Sequence, residues 1–179
     1  MPLEHALLVA LDEQPSSGLD LAKRFERSIG FFWHATHQQI YRVLARMEAD
    51  GWVTRTDVAQ SGRPDKKVYA VTRAGADVLA GWLAEPTPME PLRSELAVKM
   101  RGAAAGDRAA VLDVVRGNLA DHQSRLTHYE QLAKRDYPEP ERLAGRDLDQ
   151  YLVLRGGIRL EGFWVDWLTE YLRAHEGQQ

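Results

Sequence analysis

Residues 30–53 read Gly-Phe-Phe-Trp-His-Ala-Thr-His-Gln-Gln-Ile-Tyr-Arg-Val-Leu-Ala-Arg-Met-Glu-Ala-Asp-Gly-Trp-Val, and this stretch decides the fold. It predicts a short helix that Thr36 caps, with Gln39 three residues later completing a capping box. Gly51 is predicted to end the helix, because glycine accepts the left-handed conformation of a C-terminal cap. One buried stripe is expected at the spacing i, i+3, i+4, i+7, formed by Ile40, Val43, Leu44 and Met47.

The face opposite that stripe is suited to a DNA groove. It holds Gln38, Arg42, Ala45 and Ala49, with Tyr41 and Arg46 at its flanks. Recognition helices of helix-turn-helix proteins read bases from their N-terminal residues. We therefore predict that Gln38 and Arg42 touch base edges or nearby phosphates. The predicted anchors on the DNA backbone are Thr36, His37, Tyr41 and Arg46.

Two β-rich segments, residues 53–58 and 67–71, follow this helix and predict a hairpin. The joint between them, residues 61–66, contains Gly, Pro and Asp, which favour a turn. Arg63, Lys66 and Lys67 make the joint basic, so it resembles the wing of a winged helix and is predicted to contact phosphates. Taken singly, the helix fits any amphipathic helix and the joint any polar turn. Their order and spacing together favour the winged helix.

Composition narrows the class of protein. With 179 residues the chain forms one domain or two small ones, and 44% hydrophobic residues supply a core. It has no cysteine, which excludes disulfides, thiolate metal sites and a cysteine nucleophile. No signal peptide and no apolar run near the roughly 18 residues of a membrane span is found, so we expect a soluble, cytoplasmic protein. The net charge of −3 argues against a histone-like binder.

Three prolines within residues 85–92 divide the chain, because that segment cannot be helix interior. We predict a mainly α protein: a winged helix-turn-helix DNA-binding domain with a two-stranded wing at 1–85, a Pro-rich linker at 86–92, and a helical dimerisation and effector domain at 93–179. Before the linker, helices are expected at about 3–11, from Ser17, and after Thr72. The helix after Thr72 is predicted to present Val78, Leu79, Trp82 and Leu83 to the core.

The second half is helical by pattern, with helices predicted at 92–105, across a heptad seam, and at 146–175. The seam alternates 3-4 over about three heptads and consists of Leu112, Val115, Leu119, His122, Leu126, Tyr129 and Ala133. Since neither the seam nor the broadly apolar last helix finds enough partners in one chain, we predict a homodimer. Its interface is predicted to contain Leu119, His122, Leu126, Tyr129, Phe163, Trp164, Trp167 and Tyr171.

The N-terminal half resembles the PadR family of bacterial transcriptional regulators. The matching pieces are Leu-Asp-Glu-Gln-Pro-Ser-Ser-Gly-Leu-Asp-Leu-Ala-Lys-Arg-Phe at 11–25, Phe-Trp at 32–33 with Gln-Ile-Tyr-x-x-Leu-x-x-Met-Glu-x-x-Gly-Trp-Val at 39–53, and Tyr-Ala-Val-Thr-Arg-Ala-Gly at 69–75. The resemblance implies a homodimeric winged-helix repressor whose first helix joins the C-terminal helices in the dimer interface. The family often has proline after Ile-Tyr, whereas Arg42 stands here and adds a charge to the DNA-facing side.

Three further features of the sequence are candidate sites. His34 and His37 lack the further ligands that a zinc site needs, so no metal or other cofactor is expected. His122 is either a satisfied core residue or a sensor of pH or effector. Phe163, Trp164 and Trp167 either pack an interface or line a pocket for a small aromatic effector.

Two other classes of function compete with DNA binding. No Ser-His-Asp arrangement, phosphate-binding loop or metal signature can be assembled, so no enzyme activity and no catalytic residue is predicted. A winged helix used for protein contacts stays open, and steep salt dependence of binding to duplex DNA would separate it from a DNA binder. We predict a homodimeric transcriptional repressor of a palindromic operator.

Overall fold

The computed structural model describes residues 3–26, 35–59, 66–89 and 92–176. The chain divides into two compact units, Met1–Met89 and Glu90–Gln179. Unit 1 contains α1 (Leu3–Glu13), β1 (Ser16–Ser17), α2 (Gly18–Glu26), α3 (His37–Ala49), β2 (Val53–Val58), β3 (Lys66–Val71) and α4 (Arg73–Leu83). Unit 2 contains α5 (Glu95–Arg101), α6 (Arg108–Asp136) and α7 (Gly145–Glu176). The predicted class is confirmed: mainly helical, with a winged helix before a helical domain.

Helix α1 lies at the centre of the core of unit 1. Its apolar residues are almost continuous, and Leu7 and Leu8 are fully buried although they are neighbours in the chain. A helix buried on this much of its surface needs partners on several sides. These are supplied by α2, α3, α4 and β3, which all pack against it. Packing in this core thus fixes the rotation of α3 about its own axis.

Helix α3 begins and ends as predicted. The Thr36 hydroxyl accepts a hydrogen bond from the Gln39 amide at 3.3 Å, and the Thr36 amide donates to Gln39 Oε1 at 2.8 Å, completing the capping box. Gly51 has φ +73 and donates to the Glu48 carbonyl, while the next amide reaches back to Met47, as in a Schellman motif. The residues that pack this helix on the core are Ile40, Leu44 and Met47, fully buried, and Val43, partly buried.

The wing is an antiparallel pair in which Val53 lies opposite Val71 and Val58 opposite Lys66. Lys66 therefore belongs to strand β3 and not to the turn in which the sequence placed it. A third strand, β1, pairs with the other edge of β3 and gives the order β1-β3-β2. The sequence did not predict β1, because two serines carry no alternating pattern. Arg63 lies outside the described residues.

Helix α4 is capped by Thr72, whose hydroxyl accepts from the Gly75 amide at 3.1 Å. A Cβ on Gly75 would lie 2.1 Å from the Trp52 carbonyl oxygen, so the two backbone segments approach too closely there for any side chain. Leu79 is buried, and Val78 and Trp82 pack partly on the core. The prediction for Leu83 was wrong: it is 64% exposed, because the helix ends there, beyond the edge of the core.

In unit 2 the predicted helix at 92–105 is shorter than expected. Helix α5 starts after its cap Ser94 and ends at Gly102, and only a 3₁₀ turn, Ala103–Ala105, follows. Glycine disfavours helix by about 1 kcal/mol relative to alanine, and Gly102 is the C-cap at which this short helix ends. Helix α7 in contrast continues through Gly156 and Gly157, and Gly157 is buried.

Helices α6 and α7 pack along each other. The predicted interface assumed that the heptad seam lacks partners within one chain, and this packing corrects that assumption. The core of unit 2 combines Leu112 and Val115 of α6 with Leu168 and Leu172 of α7. The heptad seam is thus covered within one chain. Its partly buried neighbours on the same core include Leu119, Trp164, Trp167 and Tyr171. No helix among the described residues is long and apolar enough to cross a membrane.

Candidate nucleic-acid interface

The outer face of α3 presents the side chains that the sequence predicted for DNA contact. Because its stripe is locked in the core, the opposite side is held toward solvent. Arg42 and Gln38 are exposed there, one turn apart, and Ala45 and Ala49 continue the same face. Tyr41 is 46% exposed. The remaining predicted residues of this helix and its cap are exposed as well: Thr36, His37 and Arg46.

Arg46 carries a contact that the sequence did not reveal. Its guanidinium lies 2.8 Å from a carboxylate oxygen of Glu4, a residue in the first turn of α1. The Glu4 side chain is only 16% exposed, whereas that of Arg46 is 55% exposed. Arg46 is therefore both available at the surface and tied to α1.

Lys66 of the wing is tied to α2 in the same way. Its ammonium lies 2.6 Å from Asp20 Oδ2, and the Ser17 hydroxyl donates to the same oxygen at 2.9 Å. The Asp20 amide donates to the Ser17 hydroxyl at 3.2 Å, which fixes the carboxylate on the first turn of α2. The hydrogen bond from Lys66, and next that from Ser17, lower the pKa of Asp20.

The other cations between residues 33 and 73 show how much of this charge is compensated. Arg55 of β2 pairs with Glu48 of α3 at 3.4 Å, and Arg73 pairs with Asp77 on α4 at 3.1 Å. Within the described part of this segment, Arg42 and Lys67 alone form no ion pair, although Asp57 lies opposite Lys67 across the strands. The acids that bind Arg46 and Lys66, Glu4 and Asp20, lie outside residues 33–73, so this compensation is visible only in the folded chain.

Comparison with known proteins shows the family. A model described as the transcriptional regulator PadR-like family matches residues 7–81, and one described as virulence activator alpha C-term matches residues 92–176. A probable transcriptional regulator of Mycobacterium tuberculosis is 50% identical over 184 residues, covering 97% of both chains. The chain belongs to the PadR-like family of transcriptional regulators. The negative transcriptional regulator PadR of Bacillus subtilis is 30% identical over 175 residues, covering 95% of both chains.

Solved structures of relatives have the same fold. Bacillus subtilis PadR in complex with operator DNA superposes with a TM-score of 0.84 at 27% identity, covering 96% of this chain and 98% of that one. The Vibrio cholerae virulence activator AphA gives a TM-score of 0.81 at 27% identity, covering 99% and 100%. A second structure of Bacillus subtilis PadR, in complex with p-coumaric acid, gives 0.77 at 26% identity, covering 96% and 97%. The PadR-like winged helix is thus a DNA-binding fold in a relative that matches along nearly its full length.

The predicted interface residue His122 takes part in a polar cluster between α6 and α7. Its Nδ1 lies 2.5 Å from Glu161 Oε2, and its ring stacks on Trp164 with centroids 5.2 Å apart. Arg125 Nε donates to Glu161 Oε1 at 3.2 Å. Sequence reasoning missed Glu161 and Arg125. Glu161 lies on the face of α7 that also buries Leu154 and Leu168. Its position on this face, between the two leucines, is the sequence signal that could have identified it.

The other predicted interface residues separate into covered and exposed ones. The Tyr171 hydroxyl donates to the Met100 carbonyl at 2.9 Å, and Tyr129 is buried. Trp164 and Trp167 contact each other and the core of unit 2, whereas Phe163 is 51% exposed. Leu126 is partly buried on α6. The further exposed apolar residues of α7 are Leu152, Val153 and Leu160.

No group of three potential metal ligands occurs among the described residues, and His34 lies outside them. A surface groove of about 830 Å³ between α6 and α7 is lined by both polar and apolar side chains, among them Gln123, Val165 and Arg173. The aromatic cluster of Phe163, Trp164 and Trp167 does not line this groove.

Proposed function

We propose that the protein is a homodimeric repressor that binds a palindromic operator through α3 and its wing. The observation that carries the proposal is the outer face of α3, where Gln38 and Arg42 are exposed on a helix whose other side is locked in the core. An α-helix fits the major groove of B-DNA, where arginine pairs with guanine and glutamine with adenine. Gln38 and Arg42 are assigned to base edges on this ground.

Phosphate contacts are assigned to the surrounding polar residues. Thr36 and His37 lie at the N-terminus of α3, where amides and a positive dipole end favour an anion. Tyr41 and Arg46 flank the base-reading pair, and Arg63, Lys66 and Lys67 belong to the wing. Long side chains on a hairpin meet phosphates more readily than base edges, and such contacts position a protein without reading sequence.

The dimer is proposed on the exposed apolar face of α7. Leu152, Gly156, Leu160 and Phe163 follow one another at helical spacing, and the three side chains are 49–56% exposed. A Cβ on Gly156 would meet no atom within 4 Å. Since glycine inside a helix costs about 1 kcal/mol, open space beside it supports close approach by a helix from outside the chain. Most soluble oligomers are closed and symmetric, with two-fold dimers the commonest.

A two-fold dimer of helix-turn-helix domains favours a palindromic operator, because each half-site meets one recognition helix. Repression is proposed because the Bacillus subtilis relative is named a negative transcriptional regulator. A small aromatic effector is proposed because a structure of that relative contains p-coumaric acid. A location in the cytoplasm, where the operator would be met, belongs to the same proposal. The alternative is a winged helix that binds another protein.

The proposal is tested by selecting a duplex from a random pool with the wild-type protein and footprinting it. We expect protection of two symmetric half-sites about one helical turn apart. The affinity is expected to fall linearly on a log–log plot against salt. A single asymmetric footprint would overturn the palindromic dimer. Failure to enrich any duplex, together with specific capture of a polypeptide on α3, would establish the alternative function.

A further inference from the structure

Two of the four described cations assigned to DNA contact, Arg46 and Lys66, are bound by acids of the same chain. Glu4 of α1 holds Arg46 of α3, and Asp20 of α2 holds Lys66 of β3. Neither acid belongs to α3 or to the wing. Two of the residues assigned to phosphate are thus already paired with a carboxylate before DNA binds.

We propose that Glu4 and Asp20 are intramolecular competitors for phosphate that lower the sequence-independent part of the DNA affinity. This inference rests on the proposed DNA binding and identifies the residues that limit the DNA affinity. The two acids would determine how strongly the protein is retained on DNA outside its operator.

The geometry gives both acids a fixed place. Asp20 is held by the Ser17 hydroxyl, so its carboxylate does not depend on Lys66 for its position. The side chain of Glu4 is 16% exposed and lies in the first turn of its helix. Helix N-termini favour negative charge, and both acids lie in the first turn of their helices. Although the Asp20 side chain is 49% exposed, both acids are held by contacts within unit 1.

The physical effect follows from counterion release. Sequence-independent affinity arises from lysines and arginines that neutralise phosphates and set free the counterions of DNA. Exposed ion pairs are weak, so a phosphate can draw Lys66 or Arg46 away from its acid. The carboxylate then stays close to the phosphate and repels it. Each pair therefore contributes less to DNA affinity than a cation such as Lys67, which forms no ion pair with any residue that the structure describes.

The test removes each acidic charge while preserving its shape, with the variants Glu4→Gln and Asp20→Asn. Two labelled duplexes serve as probes: one of arbitrary sequence, and one selected from a random pool by the wild-type protein. We expect both variants to bind both duplexes several-fold more tightly. The slope of log affinity against log salt should steepen by roughly one per subunit. The matched control is Asp113→Asn, which removes the partner of Arg116 on α6 and changes the net charge equally.

Three results would overturn the inference. Unchanged affinity and slope in both variants would show that the pairs do not shield the cations. Equal tightening in Asp113→Asn would show an effect of overall charge. Tightening on the selected duplex alone would show that these residues act at bases and not at phosphates.

An independent measurement separates this inference from the proposed function. In the free protein, an NMR titration of the Asp20 carboxyl should give a pKa below the ordinary value, and Lys66→Gln should raise it. An ordinary pKa in the wild type would remove the Asp20 pair while leaving DNA binding intact. If the pKa is low but the protein binds neither duplex, the proposed function fails, and the inference fails with it.

Discussion

His122 Nδ1 lies 2.5 Å from Glu161 Oε2, joining α6 to α7 through a carboxylate that is 8% exposed. The same nitrogen lies 2.8 Å from a guanidinium nitrogen of Arg125. One ring nitrogen cannot donate to the carboxylate and accept from the guanidinium at once. Glu161 is therefore the acceptor to which both the His122 ring and the Arg125 guanidinium donate.

Replacing Glu161 with glutamine should destabilise unit 2, because it removes the carboxylate charge that Arg125 and His122 contact. Removing one partner of a buried pair costs about 3–5 kcal/mol, and the half-exposed Arg125 reduces this to about 2 kcal/mol. Urea denaturation measures the loss. Asp113→Asn, whose carboxylate is 76% exposed, should change stability by less than about 0.5 kcal/mol. Equal effects of the two variants would contradict the role of Glu161.

The phenol of Tyr129 should ionise at a higher pH than the phenols of the exposed tyrosines. Burial first, and then the charge of Glu161, raise the pKa of Tyr129 above its usual value of 10.0. Because the folded pKa is raised, the associated stability is present below the unfolded pKa and is lost as pH rises through the folded one. An ultraviolet titration should show a late-ionising phenol that disappears in Tyr129→Phe and shifts to lower pH in Glu161→Gln. A Tyr129→Phe titration that retains the late phase would refute the assignment.

Gly75 and Gly81 lie on the same helix and should respond oppositely to alanine. A Cβ at Gly75 would lie 2.1 Å from the Trp52 carbonyl oxygen, whereas one at Gly81 would meet no atom within 4 Å. Gly75→Ala should therefore destabilise unit 1 by about 2 kcal/mol or more, since backbone must move. Gly81→Ala should stabilise it by about 0.5–1 kcal/mol through helix propensity. Thermal unfolding compares the two, and similar shifts in both would contradict the close approach of Gly75 to the Trp52 carbonyl.

The proposed dimer is tested at Phe163, the largest of the exposed apolar residues of α7. Phe163→Asp should dissociate the dimer, because an unpaired carboxylate would have to be buried between the subunits. Light scattering over a range of concentrations gives the mass. Val98→Asp, at an α5 residue that is 71% exposed, is the matched control and should leave the mass unchanged. A wild-type protein that is a stable monomer would contradict the dimer outright.

The sequence predicted the parts of the fold that depend on local signals. Thr36, Gln39 and Gly51 act within one helix, so the bounds of α3 followed from them directly. The strand β1 was missed because its pairing with β3 depends on residues far away in the chain.

The same distinction applies to the site. The heptad seam predicted an apolar face correctly, but periodicity does not say whether α7 or a second chain covers it. Glu4 lies 42 positions before Arg46, and Asp20 likewise lies far from Lys66, so only the folded chain reveals which cations are compensated.

The central claim is that Arg42 reads a base, and it is tested most directly by measuring the affinity of Arg42→Ala for the selected operator and all its single-base variants. We predict a loss of about 1–3 kcal/mol and a relaxed preference at one position in each half-site, with the fold intact. Arg116→Ala on α6 is the control and should bind like the wild type. Unchanged affinity and unchanged preference in Arg42→Ala, across the whole set of variants, would contradict the account.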